Sequence, residues 1–236
     1  HPTSVINPGY EILFFWVARM ILMSQYLLGE IPFEIVYLHG ILRDAKGQKF
    51  SKSLDNGVDP IKVIEEYGAD ALRMSMIVGI GPGADAKFDI QKVKAYKHFS
   101  NKIWNIARYV LGVEKAGELN KRLVDEFDAL AQDITTDMEN FRFYLAGEKL
   151  YAYIWHRLAD EIIEESKGKT EYGSTLFYIL ENSLKLLHPF MPFITEEIWS
   201  MLPDKKGKLL MVEKWPHFAK ATRGKPFDPA QDKPND

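Results

Sequence analysis

The 236 residues contain no cysteine, which excludes disulfides and thiolate metal sites and suits a cytoplasmic protein. The six histidines (His1, His39, His98, His156, His188 and His217) lie far apart and match no metal-ligand spacing, so no protein-bound metal is expected. Long apolar runs are lacking as well. Stretches such as Ile12 to Ala18 fall far short of the roughly 20 residues that span a bilayer, and no signal-peptide core stands at residue 1. No contact with a membrane is therefore expected. Charge of one sign is lacking too: 30 basic residues against 33 acidic give −3, too little to attract nucleic acid to the molecule as a whole. Any RNA contact has to come from local basic surface. There is also no initiator Met. The chain opens on His1-Pro2-Thr3-Ser4 directly ahead of dense apolar sequence, which reads as part of something longer.

What is present is ordinary for a soluble globular protein: 46% apolar and 27% charged residues, enough for one large or two smaller domains. Pro8-Gly9 reads as a turn and Tyr10 to Gln25 as a strongly apolar helix. Ile35 to Leu42, rich in β-branched residues, reads as a buried strand of a parallel sheet. Arg43 to Gly47 is a polar turn. Asp59-Pro60 starts a helix with Asp as cap and Pro in the first turn. Gly68 breaks that helix, and Asp70 is expected to cap another running through Val78. Gly79 to Ala86 reads as a linker. Beyond it the period is helical: Tyr96, Phe99, Ile103, Ile106 and Val110 fall three or four apart, as do Leu150, Ile154, Leu158 and Ile162, and then Leu176, Ile179, Leu180, Leu184 and Leu187. Four or five antiparallel helices in a bundle follow from the segment lengths. Leu209 to Val212 reads as a short terminal strand. From about 220 the chain is polar and Pro-rich, with Lys225-Pro226-Phe227-Asp228 nearly repeated at Lys233-Pro234-Asn235-Asp236, the composition of a disordered tail.

The chemistry concentrates at Lys49-Phe50-Ser51-Lys52-Ser53. Two lysines and two serines follow a buried strand, at the carboxyl edge where open α/β sheets bind ligands. Ammonium groups and hydroxyls there can hold a polyphosphate and neutralise charge developing at its leaving end. A mobile loop can close over a nucleotide and then release pyrophosphate. Taken alone, these five residues fit an ordinary solvated loop better.

Their surroundings carry more. Val36-Tyr37-Leu38-His39-Gly40, then Arg43-Asp44, then Gly47-Gln48 and the loop itself resemble the second signature of class I aminoacyl-tRNA synthetases, whose form is Lys-Met-Ser-Lys-Ser. Pro2-Thr3-Ser4 followed by Gly9-Tyr10-Glu11-Ile12-Leu13-Phe14-Phe15-Trp16-Val17-Ala18-Arg19-Met20 resembles the valyl members specifically. The resemblance implies a mostly α protein: residues 1–82 as the end of a Rossmann-type α/β catalytic domain, 83–219 as an α-helical-bundle anticodon-binding domain, and 220–236 as the tail. It implies valine–tRNA ligase activity with ATP and Mg2+, valine and tRNA(Val) as partners. Lys52 then contacts ATP with Lys49 in support, and Ser51, Gly9, Glu11 and His39 complete the nucleotide side. Ile12 and Trp16 line the valine pocket. A hydrophobic pocket rejects an added hydroxyl poorly, a limit for which valyl synthetase against threonine is the standard example, and the family meets it with a separate editing domain.

Three departures from the family pattern stand out. Phe50 replaces Met, an apolar swap. Asp55-Asn56-Gly57 replaces Gly-Asn and an apolar residue, putting a carboxylate beside a phosphate loop. Glu11 replaces Asp, one methylene longer. The first class I signature, His-Ile-Gly-His, is not among these residues, so the isolated chain is expected not to activate valine without a complementary N-terminal synthetase fragment.

The first bundle segment, Asp89 to Gly112, carries Lys92, Lys94, Lys97, Lys102 and Arg108 against one acid, a surface that can meet tRNA phosphates beside stacking aromatics. Asn101 to Tyr109 resembles the first anticodon-domain helix of valyl enzymes, which implies Arg108 and Tyr109 as anticodon contacts with Lys94 nearby. His188-Pro189-Phe190-Met191-Pro192-Phe193-Ile194-Thr195-Glu196-Glu197-Ile198-Trp199 is close to a family hallmark of structural origin: prolines end one helix, and Thr195 with the acids starts the next. Two other readings stand beside this one, and the departures at Asp55 to Gly57 with the missing first signature favour the first of them for the chain in isolation. One is a stand-alone, catalytically inactive tRNA-binding module derived from a valyl enzyme, and the other a helical scaffold with no RNA role.

Overall fold

The computed structural model describes residues 1–203 and 207–216; the Lys52 side chain and the tail read at 220–236 lie outside what it describes. The chain begins with a strand that the sequence reading missed, β1 (Thr3–Ile6), parallel to β2 (Phe33–Val36) with Val5 opposite Ile35. Between them runs the apolar helix: a 3-10 turn at Tyr10–Ile12, a π-helical stretch at Leu13–Val17, and α1 (Ala18–Leu28), closed by Gly29 in the left-handed region. This is the helical crossover that parallel strands require. As an element, Tyr10–Leu28 is long and apolar enough to cross a membrane by length and composition, a property that counting unbroken apolar runs overlooked.

The strand expected over 35–42 is split. β2 ends at Val36, the chain touches β1's extension through a parallel bridge between Gly9 and His39, and β3 (Leu42–Arg43) pairs in parallel with β4 (Ala86–Lys87). It is half-buried rather than buried, because each described sheet has only two strands and leaves an edge open. The stretch read as a linker is bound to it: Gly83 N–H donates to Leu38 O at 2.9 Å and Ala86 N–H to Ile41 O at 3.3 Å. Gly40 permits this approach, since a Cβ there would lie 1.8 Å from Ala84 O.

Asp59 caps α2 (Pro60–Tyr67) as its sequence implies, accepting the Ile61 N–H at 2.9 Å. Asp70 does not cap α3 (Ala69–Ile77). Its buried carboxylate instead accepts the N–H groups of Phe193 (3.2 Å) and Ile194 (2.7 Å), closing the start of α9 (Pro192–Met201). Arg73 adds bonds to the carbonyls of Phe190 and Pro189, so α3 grips the turn between two bundle helices.

The bundle comprises α4 (Ile90–Leu111), α5 (Lys121–Glu139), a continuous helix made of α6 (Phe143–Ala152), a π-helical stretch at Tyr153–Ile162 and α7 (Ile163–Ser166), then α8 (Gly173–Leu187) and α9. Each periodic apolar set named above is buried, from Phe99 and Val110 in α4 to Leu184 and Leu187 in α8. Fully burying one such side chain contributes about 1.5–3 kcal/mol, so these stripes supply most of the drive to fold. α4 is not antiparallel to every neighbour. Phe99 meets Tyr151 and Trp155, Lys102 meets Asp160 and Tyr109 meets Ser166, so α4 and the π-helical element advance together. The terminal strand expected at 209–212 is a 3-10 turn, Leu210–Val212, because the Glu196 carboxylate accepts the N–H groups of Leu210 and Met211 and leaves no strand partner.

Candidate nucleotide site and RNA-facing helix

Three of the residues assigned to ATP, Gly9, Glu11 and His39, stand at the carboxyl edge of the β1–β2 pair. Tyr10 N–H donates to His39 O at 3.1 Å and His39 N–H to Pro8 O at 3.1 Å, which sets Gly9 against the imidazole. A Cβ on Gly9 would stand 3.4 Å from His39 Cε1, so glycine leaves a shallow cradle there. Directly after it, Glu11 faces the loop, and its carboxylate accepts from Lys49 Nζ at 2.6 Å. Gly9 and Glu11 therefore share one surface with His39 and Lys49, which lie far along the chain from them. Lys52 begins a 3-10 turn, Lys52–Leu54.

Residues that the sequence reading did not assign build the loop's frame. Asn56 accepts the Ser51 N–H at 2.9 Å while its amide donates to Asp44 Oδ2 at 2.9 Å and to Lys49 O at 3.3 Å. Asp44 also accepts from Lys46 N–H and Gln48 N–H, and these bonds, led by the one from Asn56, hold its carboxyl below the usual range. Asp85 ties the other side, accepting from Ile41 N–H at 2.7 Å, Arg43 Nε at 2.6 Å and the Tyr10 hydroxyl at 3.2 Å; the first of these does most to lower its pKa. The one available signal was local: Asp44 and Asn56 flank the loop within the resembling stretch. Ser51 and Ser53 hydroxyls sit 2.6 Å apart on the exposed side. The donor set, two serines and at least one lysine beside a carboxylate, suits a polyphosphate joined to a ribose. Among the described residues no three carboxylate or histidine groups converge.

The two residues expected from the resemblance to line a valine pocket are not enclosed. Ile12 and Trp16 are 43% and 47% exposed on the apolar helix. An open hollow of about 460 Å3 on the same helix is lined by Tyr10, Glu11, Phe14, Val17 and Val36, and neither Ile12 nor Trp16 is among its lining residues. A cavity of about 500 Å3 lies apart from the loop, lined by Tyr37, His39, Phe141, Phe143 and Tyr144, where strand and bundle meet.

On α4 the basic residues divide. Lys92 donates to Val78 O and Lys97 to Glu66 O, each at 2.6 Å, and Lys102 pairs with Asp160 at 2.8 Å while covering the Trp155 ring. Burial pulls the Lys92 pKa down. Lys94 and Arg108 are exposed, in one stripe with His98, Asn101 and Asn105. At 1.5 Å per residue those two cations are about 21 Å apart, so they address different parts of any ligand. Tyr109 is half-buried, its hydroxyl 3.1 Å from Ser166 Oγ.

Residues 1–89 match the family of tRNA synthetases class I (I, L, M and V), and residues 120–232 match the anticodon-binding domain of tRNA ligase. The valine–tRNA ligase of Petrotoga mobilis is 41% identical over 238 residues, that of Geobacillus kaustophilus 42% over 237, and that of Thermotoga maritima 40% over 233. Each alignment takes in 92% of this chain, which spans 27% of the relative's length. Among solved structures, the agnB2 LeuRS of Agrobacterium radiobacter K84, in a ternary complex with tRNA and LeuAMS, superposes with a TM-score of 0.74 at 23% identity, over 92% of this chain and 28% of that one. The Mycobacterium tuberculosis methionyl-tRNA synthetase bound by methionyl-adenylate gives 0.68 at 20% identity, over 85% and 45%.

Proposed function

Because this chain belongs to the class I tRNA synthetases and its curated relatives are valine–tRNA ligases, we propose that it is the loop-bearing and anticodon-binding part of a valine–tRNA ligase of the cytoplasm. The reaction is ATP-dependent activation of valine and transfer to tRNA(Val). A valine carboxylate oxygen attacks the α-phosphorus, the bond to the bridging oxygen breaks, and pyrophosphate leaves. Lys52, with Lys49 and the Ser51 hydroxyl, stabilises the charge gathering on that leaving group. Such preorganised cations act only where charge develops, which is what accelerates a step. Gly9 and His39 form the adenosine floor, Glu11 accepts from the ribose, and Ile12 and Trp16 face the valine side chain. Mg2+ enters with the triphosphate. Arg108 and Tyr109 receive the anticodon, and Lys94, nearer the loop, meets phosphates.

The observation that carries this reading is the meeting of Gly9, Glu11, His39 and Lys49 at one sheet edge, on a body continuous with the bundle. The other half of the site comes from the first half of the catalytic domain, which docks on the apolar helix. Support for that docking is the exposure of Phe14 (75%), Leu22 (67%) and Tyr26 (86%), an apolar face too large for a free surface, on a chain spanning 27% of its relatives. A bilayer is a poorer fit to this face, since the open β1–β2 edge beside it has backbone groups that lipid cannot satisfy.

Binding of tRNA by these 236 residues tests the RNA half of the reading. The affinity for tRNA(Val) is expected to fall linearly with log salt. Lys94→Ala should reduce the slope by about one and weaken all tRNAs alike, whereas Arg108→Ala should cost about 1–3 kcal/mol and erase preference for the valine anticodon. Binding indifferent to both salt and anticodon would leave the helical-scaffold reading in its place.

A further inference from the structure

Glu11 and Lys49 are joined by an ion pair at 2.6 Å, yet the proposed chemistry gives them to different parts of the nucleotide, the ribose and the phosphates. We propose that Glu11 acts as a strap: through Lys49 it holds the lysine–serine loop down on the floor of the site until a nucleotide's hydroxyls and phosphates replace each partner with a better one. The purpose of the strap rests on the nucleotide reading above, but its existence does not.

Three observations support it. Glu11 sits in the 3-10 turn Tyr10–Ile12, whose first N–H is bonded to His39 O, so one end of the strap is anchored in the sheet. At the other end Lys49 bridges Arg43, and Lys49 O accepts from Asn56, which also receives the Ser51 N–H. Displacement of Lys49 is therefore felt at Ser51. The third observation is reach. Glutamate stands where the family pattern has aspartate, and one C–C bond of about 1.5 Å separates the two lengths. With Lys49 held as it stands, an aspartate carboxylate on the same backbone would lie about 1.5 Å further away, beyond hydrogen-bond range. The strap is thus a property of this chain's own substitution.

Both side chains are partly exposed, at 56% and 37%, so solvent screens the pair and its effect is modest. Opening of the loop should be favoured by about 1.5- to fivefold when the pair is removed. Amide hydrogen exchange of the 236-residue chain, without nucleotide, reads this directly. Glu11→Gln and Glu11→Asp should both speed exchange across residues 49–54 by that factor while leaving residues 90–111 unchanged. High salt should bring the wild type to the variants' rate, and Glu11→Lys combined with Lys49→Glu should restore protection. Equal exchange in wild type and Glu11→Gln, or full protection in Glu11→Asp, would overturn the strap. If the variants behave as expected but Mg-ATP leaves exchange of this loop untouched in the full-length protein that carries these residues, the strap stands and the nucleotide reading falls.

Discussion

Asp55 adopts a φ of 46°, a left-handed conformation that glycine enters freely and an L side chain does not. It stands where the family pattern has glycine. Read from sequence, the departure suggested repulsion between a carboxylate and a phosphate; the backbone adds steric strain at the end of the loop. Asp55→Gly is expected to stabilise the chain by about 1 kcal/mol, raising the thermal midpoint by about 2–4 °C, and calorimetry or urea unfolding checks it. An unchanged or lowered midpoint would mean that the loop relaxes around the aspartate. Asn56, one residue on, was visible only as part of a motif. Its bonds to Ser51, Asp44 and Lys49 depend on how the chain folds back, which no local period encodes.

Helices were legible and strands less so. The apolar stripes of α4, the α6-to-α7 helix and α8 repeat at 3.6 residues, and that period survives whatever packs on it. β1 and β4 are two to four residues long and acquire strand character only from a partner, so no window in the sequence marks them. Asp70 shows the same limit, since its position one residue into α3 suggests a local cap whereas its carboxylate serves α9. This junction should sense pH. Burial is the main cause that lowers the pKa of His188, against the opposing pull of Glu196 and Asp70, and burial likewise raises that of Asp70. For His188 the depressed folded pKa means that its contribution is present above about 6.5, the unfolded value, and is lost as pH falls through the folded one. Asp70 has the opposite sign: its contribution is full below its unfolded value and is lost as pH rises through the raised folded one. Comparing His188→Gln with wild type isolates the histidine. Denaturant unfolding between pH 7.5 and 5 should show wild type losing stability on acidification relative to the variant, and parallel curves would refute it.

Across the whole molecule, the loop site and the exposed cations of α4 lie on one continuous body, joined by the grip of α3 on the turn before α9. α4 falls between the two family matches, yet it carries both Lys94 and Arg108. Under the proposed function the two sites serve separable half-reactions, activation of the amino acid and its transfer to tRNA, so their separation has a kinetic consequence. The most direct measurement takes the protein with these residues in its full-length form and follows valine-dependent ATP–pyrophosphate exchange alongside valylation of tRNA(Val). Lys52→Ala should lower both by about 10²–10³, as removal of a charge-stabilising donor does elsewhere. Arg108→Ala should leave exchange unchanged and lower valylation through the KM for tRNA. Exchange that survives Lys52→Ala, or that falls in step with valylation in Arg108→Ala, would contradict the division of labour set out here.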